Sequence, residues 1–323
     1  MRTRVLMGLV ALAAFAAATG YKLNQKIAIP GDGSWDYLTV DGSARRVYVS
    51  HGTEVNVLDA DTGKLAGTLT GTLGVHGIAL AREFNRGFIS SGQTNDVAVF
   101  DLKTQEIVSR VTAGKKPDAI IYDRATKRVI VNNGGSASST ILNAADAKPE
   151  GDIELGGQPE FAAVDGKGKV FINLEDKNET VRIDPVQRKV EARWALKPCE
   201  APSAMAMDRA ARRLFIGCHN RMMAVVNADA GAVVQTLPIG ERVDAAAFDR
   251  DAKLVFFSCG DGTVSVFHED TPDRLTSVET LTTEPGAKTL ALDSKTHNLF
   301  LSVAKREGKT IQPGTFHVLV YGR

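Results

Sequence analysis

The feature that most constrains this chain is a repeat of about 42 residues that recurs seven times. Each unit has an apolar run, a tight turn, a second apolar run that starts near a basic residue, and a third run after a polar loop. The residues that open the first runs are Asp36, His76, Asp118, Glu160, Ser203, Asp244 and Lys288. They lie 40 to 44 residues apart, and such a regular period is typical of repeat architectures.

Within the runs, apolar residues alternate with a period of two, which is the pattern of a half-buried β-strand. Val, Ile and Phe are frequent in them and favour strands. Segments such as 68–71 and 109–114 supply a fourth, outer strand in each unit. Seven units of four short strands predict an all-β, seven-bladed β-propeller.

The last unit ends at Arg323 after its third run, so its outer strand is missing. Residues 22–29 (KLNQKIAI) have the character of an outer strand and no partner near them in sequence. We predict that this N-terminal strand closes the last blade, because closure removes exposed sheet edges that invite aggregation. Residues 21–323 then form one domain.

Three segments carry a resemblance to a known family: VYVS (47–50), VIVN (129–132) and VLDADTGK (57–64). The chain resembles the YVTN-type (YncE-like) β-propeller repeat family, mostly exported bacterial proteins, although the tetrapeptide that names the family does not occur here. The resemblance implies the propeller fold over the whole mature chain and implies no particular activity. Related propellers handle haem or copper, but this chain has no C-x-x-C-H motif and no dense His cluster.

The N-terminus has the layout of a secretory signal. Arg2 and Arg4 precede an apolar run of 14 residues, 5–18, which ends in an Ala-x-Ala site at residues 16–18. The run is shorter than the roughly 20 residues of a membrane span. We predict a signal peptide over residues 1–20 that is cleaved after Ala18, and a periplasmic or secreted mature protein. An uncleaved N-terminal anchor is the alternative.

Net charge restricts the partners. The 39 basic and 38 acidic residues give a formal charge of +1, so the chain has no general attraction for nucleic acid or for anionic lipid. We expect a small molecule or a protein as the partner, no stable membrane insertion after signal cleavage, and a monomer.

Polar residues gather where the propeller topology places the start of each innermost strand and the loop between the second and third strands. Both lie on one face, around the central channel. We predict a ligand site at this channel mouth, formed by Asp36, His51, His76, Asp118, Asn133, Glu160, Glu175, His219, Asp244, Lys288 and Lys305. A concave polar ring is a general candidate for binding, and simple solvation of these charges is the alternative.

Four of these carboxylates, Asp36, Asp118, Glu160 and Asp244, could hold a divalent cation such as Ca²⁺, Mg²⁺ or Zn²⁺. No G-x-S-x-G or H-E-x-x-H motif occurs, so the leading hypothesis is a non-catalytic scaffold that binds a ligand or a partner protein. One alternative is a metal-dependent hydrolase similar to the gluconolactonase propellers, with His76 as the base. A second is a periplasmic electron-transfer or cofactor-handling accessory, by analogy alone.

The three cysteines permit two arrangements. Cys199 and Cys218 are predicted to reach the same face of one blade, and a disulfide between them would contribute about 3 kcal/mol. Alternatively, both could bind a metal together with His219. Cys259 is predicted to be a buried thiol.

Two further patterns receive structural interpretations. The Asp residues that end the first runs, at positions 41, 123, 165, 208, 249 and 293, precede tight turns and are predicted to cap the backbone. His268 and His297 are expected to be solvated turn residues on the opposite face. Residues 305–314 form the longest irregular insertion, either a lid over the mouth or a mobile loop, and we favour the loop.

Overall fold

The computed structural model describes residues 19–323. The predicted signal peptide lies almost entirely outside the described residues, and its cleavage stays a prediction. Across residues 19–323, no helix is long and apolar enough to cross a membrane.

The described strands form seven four-stranded antiparallel sheets arranged in a ring, which confirms the predicted seven-bladed β-propeller. Blade 1 contains β2 (Trp35–Asp41), β3 (Arg46–His51), β4 (Glu54–Asp59) and β5 (Leu65–Thr70). Blade 2 contains β6 (Val75–Ala81), β7 (Arg86–Ser91), β8 (Asp96–Asp101) and β9 (Ile107–Thr112). Blade 3 contains β10 (Pro117–Asp123), β11 (Arg128–Asn133), β12 (Ser138–Asn143) and β13 (Pro149–Glu154). Blade 4 contains β14 (Pro159–Val164), β15 (Val170–Leu174), β16 (Glu179–Asp184) and β17 (Lys189–Ala195).

The remaining blades follow the same order from the channel outward. Blade 5 contains β18 (Pro202–Asp208), β19 (Arg213–Cys218), β20 (Met222–Asn227) and β21 (Val233–Pro238). Blade 6 contains β22 (Val243–Asp249), β23 (Leu254–Cys259), β24 (Thr263–Thr271) and β25 (Arg274–Thr282). Blade 7 contains β26 (Leu290–Leu292), β27 (Leu299–Val303), β30 (His317–Gly322) and β1 (Lys22–Ala28). Single 3₁₀ turns lie at Arg82–Phe84 and Glu175–Lys177.

Blade 7 closes the ring as predicted. Strand β1 pairs antiparallel with β30 from Lys22 opposite Gly322 to Ala28 opposite His317. The outer strand of this blade thus comes from the N-terminus and the other three from the C-terminus. Because the two ends of the chain are joined by hydrogen bonds, the ring cannot open without breaking a complete strand pair.

The hydrophobic core lies between neighbouring blades. Val99 of blade 2 and Val131 of blade 3 are fully buried in one cluster, and Ile141 of blade 3 and Ile172 of blade 4 belong to the next. Each sheet is therefore apolar on both faces, which explains why the second and third strands are almost continuously hydrophobic.

The aspartates that end the innermost strands have the predicted structural role. Asp123 is fully buried and accepts bonds from the backbone N–H groups of Ala125 and Thr126, both at 3.2 Å, and from the Thr126 hydroxyl at 2.7 Å. Other members also bond the next blade, as the Asp293 carboxylate does with Arg45 at 2.6 Å. These carboxylates replace missing turn hydrogen bonds and connect blades.

His297 differs from expectation. Its Nδ1 lies 2.6 Å from the buried Asp249 carboxylate of blade 6, so the ring is a partner in an inter-blade contact and not a solvated turn residue. His268 is partly exposed, and its Nδ1 lies 2.8 Å from Asp270.

Cys199 and Cys218 form the predicted disulfide, with Cα atoms 5.7 Å apart. The alternative metal site at these cysteines and His219 is wrong, because the two sulfurs are bonded to each other. Cys259 is free and fully buried, as predicted, and burial raises the pKa of its thiol to about 12.

The insertion at residues 305–314 contains a short hairpin, β28 (Arg306–Glu307) with β29 (Thr310–Ile311), where the sequence indicated irregular structure. The Arg306 guanidinium lies 4.7 Å from the centre of the Trp35 ring, and the N–H of Gly314 bonds the Asp32 carboxylate at 2.8 Å. The insertion therefore packs on the start of blade 1.

Candidate functional site

The innermost strands share an irregularity at the channel mouth. In blades 1 to 6 the register shifts just after the first residue, for example between Trp35 and Leu38 and between Pro117 and Ile120. The extra residue of such a bulge turns a side chain out of the regular alternation. In blades 1 to 6, the residues at this bulge are Asp36, His76, Asp118, Glu160, Ser203 and Asp244.

A belt of buried polar side chains in the second strands fixes these residues, and sequence reasoning missed it. Ser90 donates to the main-chain carbonyl of Asp118 at 2.5 Å, and Asn132 donates to the carbonyl of Glu160 at 2.7 Å. In the same way, Asn173 donates to the main-chain carbonyl of Ser203, and Ser258 donates to that of Lys288. The signal in the sequence was the small polar residue that ends runs such as VYVS and VIVN.

Three mouth residues from blades 1 to 3 form a compact cluster. His76 Nδ1 lies 2.6 Å from Asp36 Oδ2 and 3.6 Å from Asp118 Oδ1. Burial disfavours the charged imidazole, but the hydrogen bond to Asp36 and the charges of Asp118 and Asp36 outweigh it, so the pKa of His76 is raised. His76 thus lies between two carboxylates that favour its protonated form.

Asp118 is the least satisfied member of this cluster. Its Oδ1 is buried and accepts no hydrogen bond from the described residues. Burial, together with the charges of Asp36 and Asp244 and against the attraction of His76, raises the pKa of the Asp118 carboxyl to about 6. Such an acceptor favours any ligand that brings a donor or a positive charge.

A second group comes from blades 4 and 5. The Gln158 amide bonds the carboxylates of Glu160 at 3.2 Å and Glu175 at 3.1 Å, and His219 Nδ1 lies 3.3 Å from Glu175. Burial, then the charges of Asp118 and Glu175, raise the pKa of Glu160 to about 8. The hydrogen bond with Glu175 raises the pKa of His219 and lowers that of Glu175. Glu160 is thus neutral at pH 7, whereas Glu175 is ionised.

The third group joins blades 5, 6 and 7. The Lys288 ammonium group makes a short ion pair with Asp244, whose other oxygen accepts a bond from Ser203 at 3.2 Å. Burial raises the pKa of the Asp244 carboxyl despite the attraction of Lys288. The pKa of Lys288 is raised as well, because the attraction of Asp244 and Asp36 outweighs the cost of burial. One lysine therefore offsets one of the crowded carboxylates.

Three predicted ligand residues do not join these groups. The His51 ring is buried, stacks on Phe316 at 4.0 Å and contacts Asn56 through Nδ1. Asn133 is fully buried and donates to Ser138 and Thr140. Lys305 is exposed at the base of the hairpin insertion. The two buried side chains support the loops of the mouth and expose no polar atom to it.

The group that could hold a metal differs from the predicted four carboxylates. Asp36, His76 and Asp118 offer ligand atoms that lie within 4.8 Å of one another, whereas Glu160 and Asp244 are outside this group. Two carboxylates and one imidazole suit Zn²⁺ or another transition ion better than Ca²⁺. His76 would then be a ligand and would not act as a separate base.

A cavity of about 360 Å³ lies beside this cluster. It is bordered by His76, Asp118, Lys116 and Gln158 and by three glycines, 92, 134 and 135. A Cβ atom on Gly92 would lie 2.8 Å from His76 Nε2, so only glycine allows this loop to approach the imidazole without displacing it. The cavity has the size of a small-molecule site.

Comparison with known proteins identifies the fold alone. No family model matches the sequence, and no curated protein matches it significantly. The solved structure of hydrazine synthase from Kuenenia stuttgartiensis is similar, with a TM-score of 0.74 and 14% identity over 84% of this chain and 94% of that one. The WD40 β-propeller domain of Doa1 is similar with a TM-score of 0.74 and 12% identity over 94% of this chain and 98% of that one. The structure of U3-55K is similar with a TM-score of 0.78 and 8% identity over 93% of this chain and 98% of that one. This chain has the architecture of a seven-bladed, WD40-like β-propeller.

Proposed function

We propose that the protein is a non-catalytic propeller scaffold whose channel mouth binds a ligand, or a partner protein's side chain, that carries a positively charged group. The observation that carries this proposal is the Asp118 carboxylate, whose buried Oδ1 accepts no hydrogen bond in residues 19–323 and has His76 Nδ1 at 3.6 Å. Membership of the YVTN-type family would agree with such a role and is part of the same proposal.

The balance of charge supports a cationic ligand. Five carboxyl groups line the mouth, and the basic side chains that pair with them in residues 19–323 are Lys288, His76 and His219. Burial is the largest cause of the raised pKa values of Asp118 and Glu160, and the charges of neighbouring carboxylates raise both further. A bound cation lowers these pKa values again, and its affinity includes the free energy of that shift.

Titration calorimetry with a diamine such as cadaverine tests the proposal. We expect binding at pH 8 that weakens about tenfold in Asp118→Asn, since one charge-assisted hydrogen bond is lost. The matched control is Asp146→Asn, because Asp146 is an exposed carboxylate in a turn of blade 3. Absence of binding, or equal loss in the control, contradicts a cation site at the mouth.

A divalent metal ion is the second candidate ligand, and the ligand geometry of Asp36, His76 and Asp118 favours it. If the ion polarised a substrate oxygen, the protein would be a hydrolase similar to the gluconolactonase propellers. Metal analysis of protein purified without chelator, followed by thermal shift with Zn²⁺, tests this. We expect Asp36→Asn to abolish binding and Asp244→Asn to retain it, because Asp244 lies outside the group. No ion and no thermal shift would leave the scaffold hypothesis alone.

We propose export as well. The pattern of residues 1–18 predicts a signal, and the Cys199–Cys218 disulfide supports an oxidising compartment. Mass spectrometry of the protein recovered from a periplasmic fraction should show a chain that begins at Thr19. A full-length chain retained in membranes would support the anchor instead.

A further inference from the structure

The central channel holds a second cavity, on the side opposite the mouth. It has a volume of about 600 Å³ and is lined by the middle and final residues of the innermost strands. Apolar side chains dominate this lining, among them Leu38, Val40, Ile78, Ile121, Phe248 and Leu292. We call it the lower cavity. Its volume is within the range of about 300–1,000 Å³ that is typical of small-molecule sites.

An aromatic pair separates the lower cavity from the mouth. Tyr37 of blade 1 and Phe161 of blade 4 meet edge to face, with ring centres 5.1 Å apart. These blades are not neighbours in the ring, so the contact crosses the channel. Tyr37 directly follows Asp36 in β2, so its ring lies next to the acidic mouth. Burial, followed by the charges of Asp118 and Asp36, raises the pKa of Tyr37. Polar and apolar compartments thus share one channel.

Arginines surround the lower opening. The residue directly after the last residue of the innermost strand is Arg in four blades, at positions 82, 124, 209 and 250. Arg82 and Arg209 line the lower cavity. The repeat of these arginines is visible in the sequence, but only the propeller topology shows that they lie on one rim of the channel.

Arg209 is the arginine with an uncompensated charge at this rim. Its Nε donates to the carbonyl of Val164 at 2.8 Å, and no carboxylate in residues 19–323 lies within ion-pair distance of its guanidinium. Arg82, by contrast, pairs with Asp41 at 3.0 Å. Arg209 also borders a smaller cavity of about 310 Å³ that adjoins the first at Tyr122. A cation with no carboxylate partner in residues 19–323 therefore lies at the entrance of an apolar space.

We propose that the lower cavity binds a small amphiphilic anion, with its apolar chain in the channel and its carboxylate or similar head group on Arg209. The apolar lining gains free energy by covering hydrocarbon, at roughly 25 cal/mol per Å². The guanidinium favours a planar anion through paired N–H donors. The site is separate from the cation site proposed at the mouth, so either proposal can fail alone.

Dodecanoate, below its micelle concentration, is the probe for this site. Titration calorimetry on the mature protein should show saturable binding, with affinity that falls as the chain is shortened to hexanoate. Dodecyltrimethylammonium carries the same chain with the opposite charge and should bind at least tenfold more weakly. Equal binding of the two surfactants, or no saturable binding of dodecanoate, overturns the proposal.

Variants locate the site. Ala247 lies half-buried in the lining, and Ala247→Phe should fill the lower cavity and weaken dodecanoate binding at least tenfold. Arg209→Gln should weaken it about tenfold and remove the preference over the cationic surfactant. Arg250→Gln is the matched control, because Arg250 occupies the same position in its blade but does not line the cavity. Its affinity should stay within twofold of the wild type.

Two outcomes would count against the assignment even if dodecanoate binds. Unchanged affinity in both Ala247→Phe and Arg209→Gln would place the probe elsewhere on the surface. Binding to phosphatidylglycerol vesicles that Arg209→Gln and Arg250→Gln weaken equally would identify the arginine rim as a lipid-surface site and not as the entrance of a cavity. Should Ala247→Phe fail to fold by circular dichroism, the Arg209 and Arg250 pair still decides the question.

Discussion

The two ends of one innermost strand show how different the same side chain can be. Strand β10 carries Asp118 near its start and Asp123 at its end. Asp123 is fully buried and accepts three hydrogen bonds within its own turn, whereas Asp118 Oδ1 has no donor among the described residues. The first carboxylate stabilises the fold, and the second costs free energy that a ligand could recover.

The difference extends around the ring. At the strand ends, carboxylates meet N–H groups, hydroxyls and cations, and hydrogen bonds from Thr296 and Arg45 outweigh burial to lower the pKa of Asp293. At the strand starts, burial and then the charges of Asp118 and Glu175 raise the pKa of Glu160 to about 8. Regular repetition thus accompanies satisfied polar groups, and irregular residue choice accompanies unsatisfied ones, which is the pattern expected where function opposes stability.

The largest effect is expected at the strand end. Asp123→Ala removes three hydrogen bonds and leaves two backbone N–H groups without acceptors, so it should lower the free energy of unfolding by about 3 kcal/mol. Urea unfolding followed by circular dichroism measures this. Asp123→Asn keeps one acceptor oxygen and should lose about half as much. If Asp123→Ala lowered the free energy of unfolding no more than the loss of an exposed carboxylate does, the structural role of Asp123 would be contradicted.

An effect of intermediate size is expected in the pH dependence of the free energy of unfolding. Its sign should be opposite for carboxyl groups at the starts and at the ends of the innermost strands. Glu160 keeps its proton in the folded state up to about pH 8, whereas the unfolded chain loses it near its ordinary pKa. Solvent screens the half-buried Glu160, so we expect about half of the full linkage effect, a fall of about 2 kcal/mol in the free energy of unfolding between about pH 5 and 8. Glu160→Gln should flatten this slope, and Glu154→Gln, at an exposed position, should not.

Asp293 supplies the opposite sign. Its lowered folded pKa means that stability is present above the ordinary pKa of an aspartate and is lost as the pH falls through the folded value. Asp293→Asn should therefore reduce the loss of stability in acid and leave the slope above about pH 5 unchanged. If the free energy of unfolding depended on pH in the same way in the wild type, Glu160→Gln and Asp293→Asn, the proposed difference between the two ends of the strands would be contradicted.

The smallest effect is expected for Asp118→Asn. At pH 8 it removes a crowded charge at little packing cost, so it should raise the free energy of unfolding by about 1 kcal/mol while it weakens ligand binding. Chemical denaturation and calorimetry on the same sample test both parts. A destabilised variant would mean that the contact with His76 stabilises the fold more than repulsion opposes it.

The amino-acid sequence by itself determined the ring. The period of about 42 residues fixed seven units, alternation fixed the strands, and the unpaired run at 22–29 fixed the closure, because these depend on local pattern and on strand pairing. It also indicated the disulfide and the capping aspartates, which are set by neighbouring turns. The disulfide and the capping hydrogen bonds join residues that are at most about 20 positions apart, and the closure follows from the count of strands in the last unit.

The tertiary structure decided what the mouth residues do. The sequence placed Asp36, His76, Asp118, Glu160 and Asp244 on one opening, but only the register of seven blades separated the Asp36–His76–Asp118 cluster from the Asp244–Lys288 pair. It also buried His51 and divided the channel at Tyr37 and Phe161. The physical reason is that ion pairing and burial depend on a few ångströms between residues 40 or more positions apart, and a repeat period does not specify those distances.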